Sequence, residues 1–308
     1  MSEPFTLQFT VSTSDISCIL REFLLQNNIS RTALTDIKYH GGCILVNGKE
    51  ETVRYSLQEG DIITIKFPPE QTNSKIKQEA LPFSIIYEDD MLLVAEKPAG
   101  MSTIPSREHP NGTLANAVAY HYGQSGQNSA IHFVTRLDYD TSGLVLIAKH
   151  RHIHHLLSLA QQQNAITKEY LALIAGTLSP PQGCIDQPIG RTGDSIILRE
   201  VRADGQTAKT LYDTNCTFQI AEQTYSMLRL QLITGRTHQI RVHLQFLGHP
   251  LLGDTLYGGD CTYISRQALH CTHLKFNHPI TNIPLQFDCP LPEDLQQIVK
   301  HSKEKQHC

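Results

Sequence analysis

Residues Arg136-Leu137-Asp138-Tyr139-Asp140-Thr141-Ser142-Gly143 set one carboxylate, Asp138, two positions after an arginine and directly ahead of a small-residue turn. The apolar run at 144–148 reads as a buried strand behind it. A carboxylate on a loop backed by such a strand is positioned to serve as a base, a nucleophile or a fixed anion. The same residue types also build turns, because Asp and Ser side chains bond nearby backbone amides. Taken alone, the segment leaves both readings open.

Company further along the chain decides between them. Lys168-Glu169-Tyr170 opens an alternating, strand-like run. Thr234-Gly235-Arg236-Thr237-His238-Gln239-Ile240-Arg241 gathers cations, hydroxyls and a histidine. Gly248-His249-Pro250-Leu251-Leu252-Gly253-Asp254, Tyr257-Gly258 and Leu269-His270 follow, and Glu96-Lys97-Pro98-Ala99-Gly100 comes before. In this order the segments resemble the motifs of the RluA/RluD-type RNA pseudouridine synthases, over residues 83–292. One position departs from the pattern: Thr135 stands where the family usually has histidine, and a threonine hydroxyl cannot carry charge.

The resemblance implies uridine isomerisation in structured RNA, with ribosomal RNA favoured over transfer RNA. That reaction breaks a nitrogen–carbon glycosidic bond, turns the base over and joins its carbon five to the sugar. Nothing is oxidised and no group is carried away, so no cofactor and no metal is expected. Water must stay out while the base is free. By the same resemblance Asp138 acts at the ribose, either as nucleophile or as proton acceptor. Tyr170 lies against the uracil, and the planar fork of Arg241 is expected on both oxygens of Asp138. Arg136, Arg236, Thr237, His238 and Gln239 are expected at the RNA. A non-catalytic RNA-binding or ribosome-assembly protein on the same fold is the alternative.

The elements that must carry these groups read as α+β. Short strands flank the acidic turn Glu88-Asp89-Asp90, a helix opens at Thr113, and strands follow the aspartate motif and Lys168. The resemblance implies a central mixed, largely antiparallel sheet with flanking helices and the cleft across its middle. Residues 13–67 form a separate small α/β unit. Ser14-Asp15 should cap a helix, 31–39 a second one, and strands are expected at 44–49 and 62–66. This order resembles an S-four-type RNA-binding domain, with Arg31, Lys38 and Lys49 as its basic contacts. Polar residues 69–81 read as a linker, and Lys300 onward as a frayed tail.

Composition sets the outer limits. The chain has 308 residues, 40% of them apolar, and a formal charge of −4. A nucleic-acid binder often carries a basic excess, so a local basic cleft is required here. No run is long and apolar enough to span a bilayer, the first residues lack a secretory pattern, and eight scattered cysteines read as reduced thiols. A cytoplasmic monomer with no membrane contact is expected. His150, His152, His154 and His155 invite a metal reading, but no acid or cysteine stands at ligand spacing, and solvent or RNA-backbone contact is expected instead.

Overall fold

In the first strand, β1 (Thr6–Thr10), Leu7 and Phe9 fall on one side of the pleat and Gln8 on the other, exposed side. Helices α1 (Leu20–Gln26) and α2 (Arg31–Tyr39) follow, then β2 (Cys43–Val46), β3 (Lys49–Glu50) and β4 (Ile62–Lys66). The strands form a small sheet in the order β1-β4-β2-β3, over a core that includes Leu20, Phe23, Leu24, Ile37, Ile63 and Ile65. The structure is a computed structural model and describes residues 4–16, 18–70, 76–126, 130–193 and 195–302. The initial residues 1–3, residues 71–75 of the expected linker and 303–308 of the expected tail lie outside that set.

One local expectation is corrected, and one strand appears that was not expected. Ser14-Asp15 does not cap α1. The Asp15 carboxylate accepts the Ser12 N–H at 3.0 Å and closes a single 3-10 turn at Thr13–Asp15. Ile19 then stays extended, bridging Ser56, while Leu20 N–H donates to Tyr55 O, so α1 starts only at Leu20. The strand at Thr6–Thr10 was not foreseen, yet it pairs with β4 along its full length. Helix α2 spans the expected residues, capped by Ser30, whose hydroxyl accepts the Ala33 N–H.

The larger sheet begins with the hairpin β5 (Ser84–Glu88) and β6 (Leu92–Lys97), then α3 (Leu114–Gln124), β7 (His132–Phe133), β8 (Ser142–Ala148), α4 (Arg151–Gln162) and β9 (Thr167–Ala175). Next come β10 (Gln182–Asp186), the short pair β11 (Ile189–Arg191) and β12 (Arg199–Val201), β13 (Lys209–Ile220) and β14 (Gln223–Leu232). Helix α5 (Gln239–Phe246), β15 (Leu269–Asn277), β16 (Pro284–Asp288) and α6 (Glu293–Ser302) complete the chain. Strand order is β10-β13-β14-β9-β15-β8-β6-β5, with β16 beside β15 and β7 beside β8. Only β15 and β8 run parallel in this sheet; the architecture is α+β, mixed and largely antiparallel. Helix α6 carries the chain through Lys300 to Ser302, so the frayed tail does not start where expected.

At the parallel junction Gly143 faces Cys271, with φ +115°. A Cβ there would drive into the Cys271 carbonyl, so the glycine ending the aspartate motif is required by close backbone approach. Strand β8 is buried at every position. It thereby fixes the loop that precedes it. Among the described residues no helix is long and apolar enough to cross a membrane.

The small unit is seated on the large one through the histidine cluster. Phe5 stacks on His150 at 4.5 Å and Phe67 on His152 at 5.0 Å. Arg151 pairs with Asp36 of α2 at 2.6 Å, and its N–H donates to Glu70. The described ends of the expected linker are also tied down, since Asn116 donates to Lys77 O and Gly112 N–H to Glu79. These contacts replace the solvent-facing role expected for His150 and His152. Among the described residues no group of three or more His, Cys, Asp or Glu is arranged to hold a metal ion.

His152 is 5% exposed and its Nδ1 has no hydrogen-bond partner among the described residues. Burial, followed by the neighbouring His155 and His150, pulls its pKa from 6.5 to about 4. Between those values the unfolded chain binds a proton that the folded chain excludes, so stability falls as pH falls through that window. Urea midpoints at the two ends of the window should therefore differ less in His152→Phe than in the parent. An equal difference in both proteins would refute this origin.

Candidate active site

The aspartate loop is held from behind by the segment after β6. Lys97 is fully buried, and its Nζ donates to the carbonyls of Pro98, Met101 and Tyr139 at 2.8, 2.6 and 3.0 Å. Burial pulls its pKa down to about 7, against the raising influence of Asp138 and Asp140. Thr103 donates to Leu137 O at 2.7 Å and accepts the Leu137 N–H at 3.1 Å. Thr135, the departure from the family pattern, accepts the Leu146 N–H at 2.9 Å and ties the loop to β8. Thr141 N–H donates to Asp138 O, closing the turn. Asp138 is thus carried on backbone pinned at both flanks.

Arg241 projects from the first turn of α5 and meets two carboxylates. Its Nε and Nη2 donate to the two oxygens of Asp254, each at 2.8 Å. Nη1 alone reaches Asp138, at 3.2 Å from Oδ2. The fork expected on Asp138 is therefore on Asp254. Side-chain exposure explains the choice: 1% for Asp254 against 28% for Asp138. A buried carboxylate needs both oxygens bonded, whereas Asp138 can complete its solvation from the cleft. Burial works against the Arg241 charge, but Asp254 and then Asp138 outweigh it and raise its pKa.

His238 approaches the same oxygen, its Nε2 at 3.8 Å from Asp138 Oδ2. It adopts a left-handed backbone, φ 57°, at the N-terminus of α5. Its Nδ1 lies 2.8 Å from the Tyr257 hydroxyl, which accepts the Arg199 N–H at 3.2 Å. That hydroxyl can spend its proton on Nδ1, leaving the N–H of the neutral ring on the side of Asp138. Burial lowers the His238 pKa, against the pull of Asp138. The Tyr257 ring also lies under the guanidinium, 5.0 Å from Arg241 Cζ.

Tyr170 enters from β9 and is 5% exposed. Burial, then the Cys271 thiol, pushes its phenol well above the ordinary value, so it is neutral across the working pH range. A cavity of about 440 Å³ is lined by Arg136, Asp138, Tyr170, Arg236 and Thr237. A smaller one, about 60 Å³, adjoins it at Asp138, Tyr170, His238 and Arg241. The arrangement offers one directed carboxylate beside a neutral phenol, in a recess of ligand-pocket size.

Other expected site residues divide. Arg136, Arg236 and Thr237 are exposed at the cavity. Gln239 is not at the surface: at 2% exposure its amide oxygen accepts from Thr234 and from Arg236 N–H, while its nitrogen donates to Lys209 O and Thr210. With all four bonds spent inside, it shapes the loop that carries Arg236 and has none left for RNA. Arg31, Lys38 and Lys49 are exposed on the small unit and do not line the cavity. Asp254, Tyr257 and the clamp role of Lys97 were missed. Asp254 had a signal, an acid set directly after Leu251-Leu252-Gly253, where only a paired charge is buried.

Comparison with known proteins identifies relatives of nearly the whole chain. Residues 91–246 match the family model described as RNA pseudouridylate synthase. The RNA pseudouridine synthase YjbO of Bacillus subtilis is 47% identical over 281 residues, 91% of this chain and 98% of that one. Ribosomal large subunit pseudouridine synthase D of Vibrio cholerae is 35% identical over 97% of this chain and 95% of its own. In fold the chain is similar to human RNA pseudouridylate synthase domain containing 4, with a TM-score of 0.57 at 22% identity, over 71% of this chain and 93% of that one. With a pinned carboxylate facing a neutral phenol in its cleft, and relatives matched over nearly their whole length, this chain belongs to the RNA pseudouridine synthase family.

Proposed function

We propose that this enzyme isomerises uridines in ribosomal RNA, with Asp138 at the ribose, Tyr170 at the uracil and Arg241 directing Asp138. The observation that carries the assignment is the single bond from Arg241 to one oxygen of Asp138, beside Tyr170. Ribosomal RNA is favoured because the Vibrio cholerae relative is named for the large ribosomal subunit. The small N-terminal unit, with Arg31, Lys38 and Lys49 exposed, acts as an S-four-type RNA-binding module on this reading.

Arg241 Nη1 and the His238 ring both lie at Oδ2, while Oδ1 bonds no described residue. Oδ1 is therefore the oxygen available to the sugar. It either attacks the anomeric carbon or takes the proton from the neighbouring sugar carbon, and on both routes the bond from the anomeric carbon to the base nitrogen breaks, its electron pair leaving with the base. The detached uracil turns within the recess and its carbon five bonds the anomeric carbon, as the Asp138 ester bond breaks on the first route or Asp138 returns the sugar-carbon proton on the second. Carbon five then loses its proton and the old nitrogen gains one. Atoms balance without a cofactor. Tyr170 stacks on the base, and its neutral hydroxyl relays the carbon-five proton by accepting it at oxygen as its own proton passes on to water. Arg136 and Arg236 hold the RNA open so that the target nucleotide can leave its stack.

RNA transcribed with tritium at carbon five of uridine gives the readout, because isomerisation releases that label. Asp138→Asn should fold and bind RNA but lose tritium release by roughly a thousandfold or more. Near-normal release would remove Asp138 from the mechanism. Tyr170→Phe should keep RNA affinity and lose about a hundredfold in rate, with the deficit constant across pH because the phenol does not titrate there. Equal rates would make Tyr170 a packing residue. The Arg241 pair gives a separate expectation. Asp254→Asn strands a buried guanidinium and should cost about 3 kcal/mol of stability, whereas Asp138→Asn, on a carboxylate 28% exposed, should leave the urea midpoint nearly unchanged. Equal losses in the two variants would contradict the observed sharing of the arginine.

A further inference from the structure

Among the described residues, Lys168 is the cation lining the cleft that the mechanism leaves unused. It stands two residues before Tyr170 on β9, on the same buried face of the strand, and is 8% exposed. Among the described residues no carboxylate pairs with it and its Nζ makes no hydrogen bond. Burial lowers its pKa, and only the Cys271 thiol acts in the other direction. A largely buried, unpaired ammonium facing a cavity is costly, and natural chains retain such groups where a ligand completes them.

Its location names the ligand's charge. The cavity that holds Asp138 adjoins a second, of about 530 Å³, reaching toward Ser158 and Asn164. Both are lined by Lys168, Gln161, Gly235 and Arg236. Arg236 uses only its Nε, on Thr207 O, so its two terminal nitrogens bond no described residue. Two cations and an amide therefore flank Gly235 with no anion among them.

Gly235 is an independent sign. Its backbone is not in the left-handed region, and a Cβ added to it would rest 3.8 Å from Lys168 Nζ and 3.9 Å from Gln161 Nε2, ordinary contact. The fold itself tolerates a side chain there, unlike at Gly143. A glycine that neither dihedral angle nor packing demands fits a place where a ligand approaches the backbone.

We propose that Lys168 and Gly235, flanked by Arg236 and Gln161, form a seat for the phosphodiester next to the target uridine. A phosphate supplies the full negative charge that the ammonium lacks, whereas a base carbonyl would offset only part of its desolvation. The strand leaving the flipped nucleotide then runs through the second cavity. The seat makes Lys168 a substrate-binding residue; it does not touch the reacting atoms. The inference rests on the RNA reading above.

The test compares the parent protein, Lys168→Met and Gly235→Ala on an unmodified large-subunit ribosomal RNA transcript, with filter binding over a KCl series from about 50 to 200 mM. Lys168→Met should bind roughly tenfold or more weaker. The slope of log affinity against log salt should be shallower by about 0.7, the contribution of one single-strand phosphate contact. Its thermal midpoint should hold or rise, since a buried unpaired charge is gone. Gly235→Ala should keep the parent's midpoint and salt slope but weaken binding as the methyl meets the phosphate. Unchanged affinity in both variants would overturn the seat, and so would weaker binding by Lys168→Met at an unchanged slope, which marks contact with a neutral base. Should Lys168→Met fail to fold, the lysine is a structural group and the proposal is lost on that result. A parent protein that bound the transcript yet released no tritium would sink the activity reading, while the binding comparison would still decide the seat.

Discussion

One guanidinium is shared between a buried carboxylate and a half-open one, and the cleft is organised around that division. Asp254 takes the paired edge of Arg241 because it has no water to fall back on; Asp138 receives a single bond. The two bonds to buried Asp254 fix the direction of the guanidinium independently of Asp138. It also makes the two oxygens of Asp138 unequal. A carboxylate gripped by a full fork would offer both oxygens only in bonded form. Here one oxygen is bonded by the arginine and the other bonds no described residue.

The scaffold supports this arrangement from two sides. On one, the Lys97 ammonium collects three carbonyls and fixes the turn after Asp138, a use of charge to bind backbone that does not involve substrate. On the other, Gln239 spends its amide on the loop that presents Arg236 and His238. Both are buried polar groups with their bonds satisfied, which is what allows them to specify one geometry. Strand β8, buried along its whole length, ties the aspartate loop into the sheet through Thr135 and the Gly143 crossing.

Much of this was legible in the residues. Strand and helix positions such as Arg31–Tyr39 and Ile62–Lys66 follow from periodicity and caps, signals confined to a few neighbouring residues. The aspartate turn, Tyr170 and Arg241 stood out through ordered motifs. What stayed hidden depends on pairing across sequence distance. The choice of Arg241 between Asp138 and Asp254 turns on relative burial, which motif spacing does not carry. Gln239 looked like a polar reader of RNA because the two bonds that take up its amide nitrogen run to Lys209 and Thr210, remote in sequence. At α1 the cap signal of Asp15 was real, but Ile19 had a better offer from Ser56 and the helix waited.

Phe5 stands just before the first strand of the small unit and Phe67 just after its last, and the two rings rest on neighbouring histidines of one helix and its cap. A body gripped at one point swivels; gripped at both chain ends, and again through Asp36, it loses its torsional freedom. An RNA touching both the small sheet and the cleft therefore meets a caliper with a set gap, in place of two beads on a string. On the proposed RNA reading, such a caliper would sort by length and curvature, and would discard a misfit before any base is turned out.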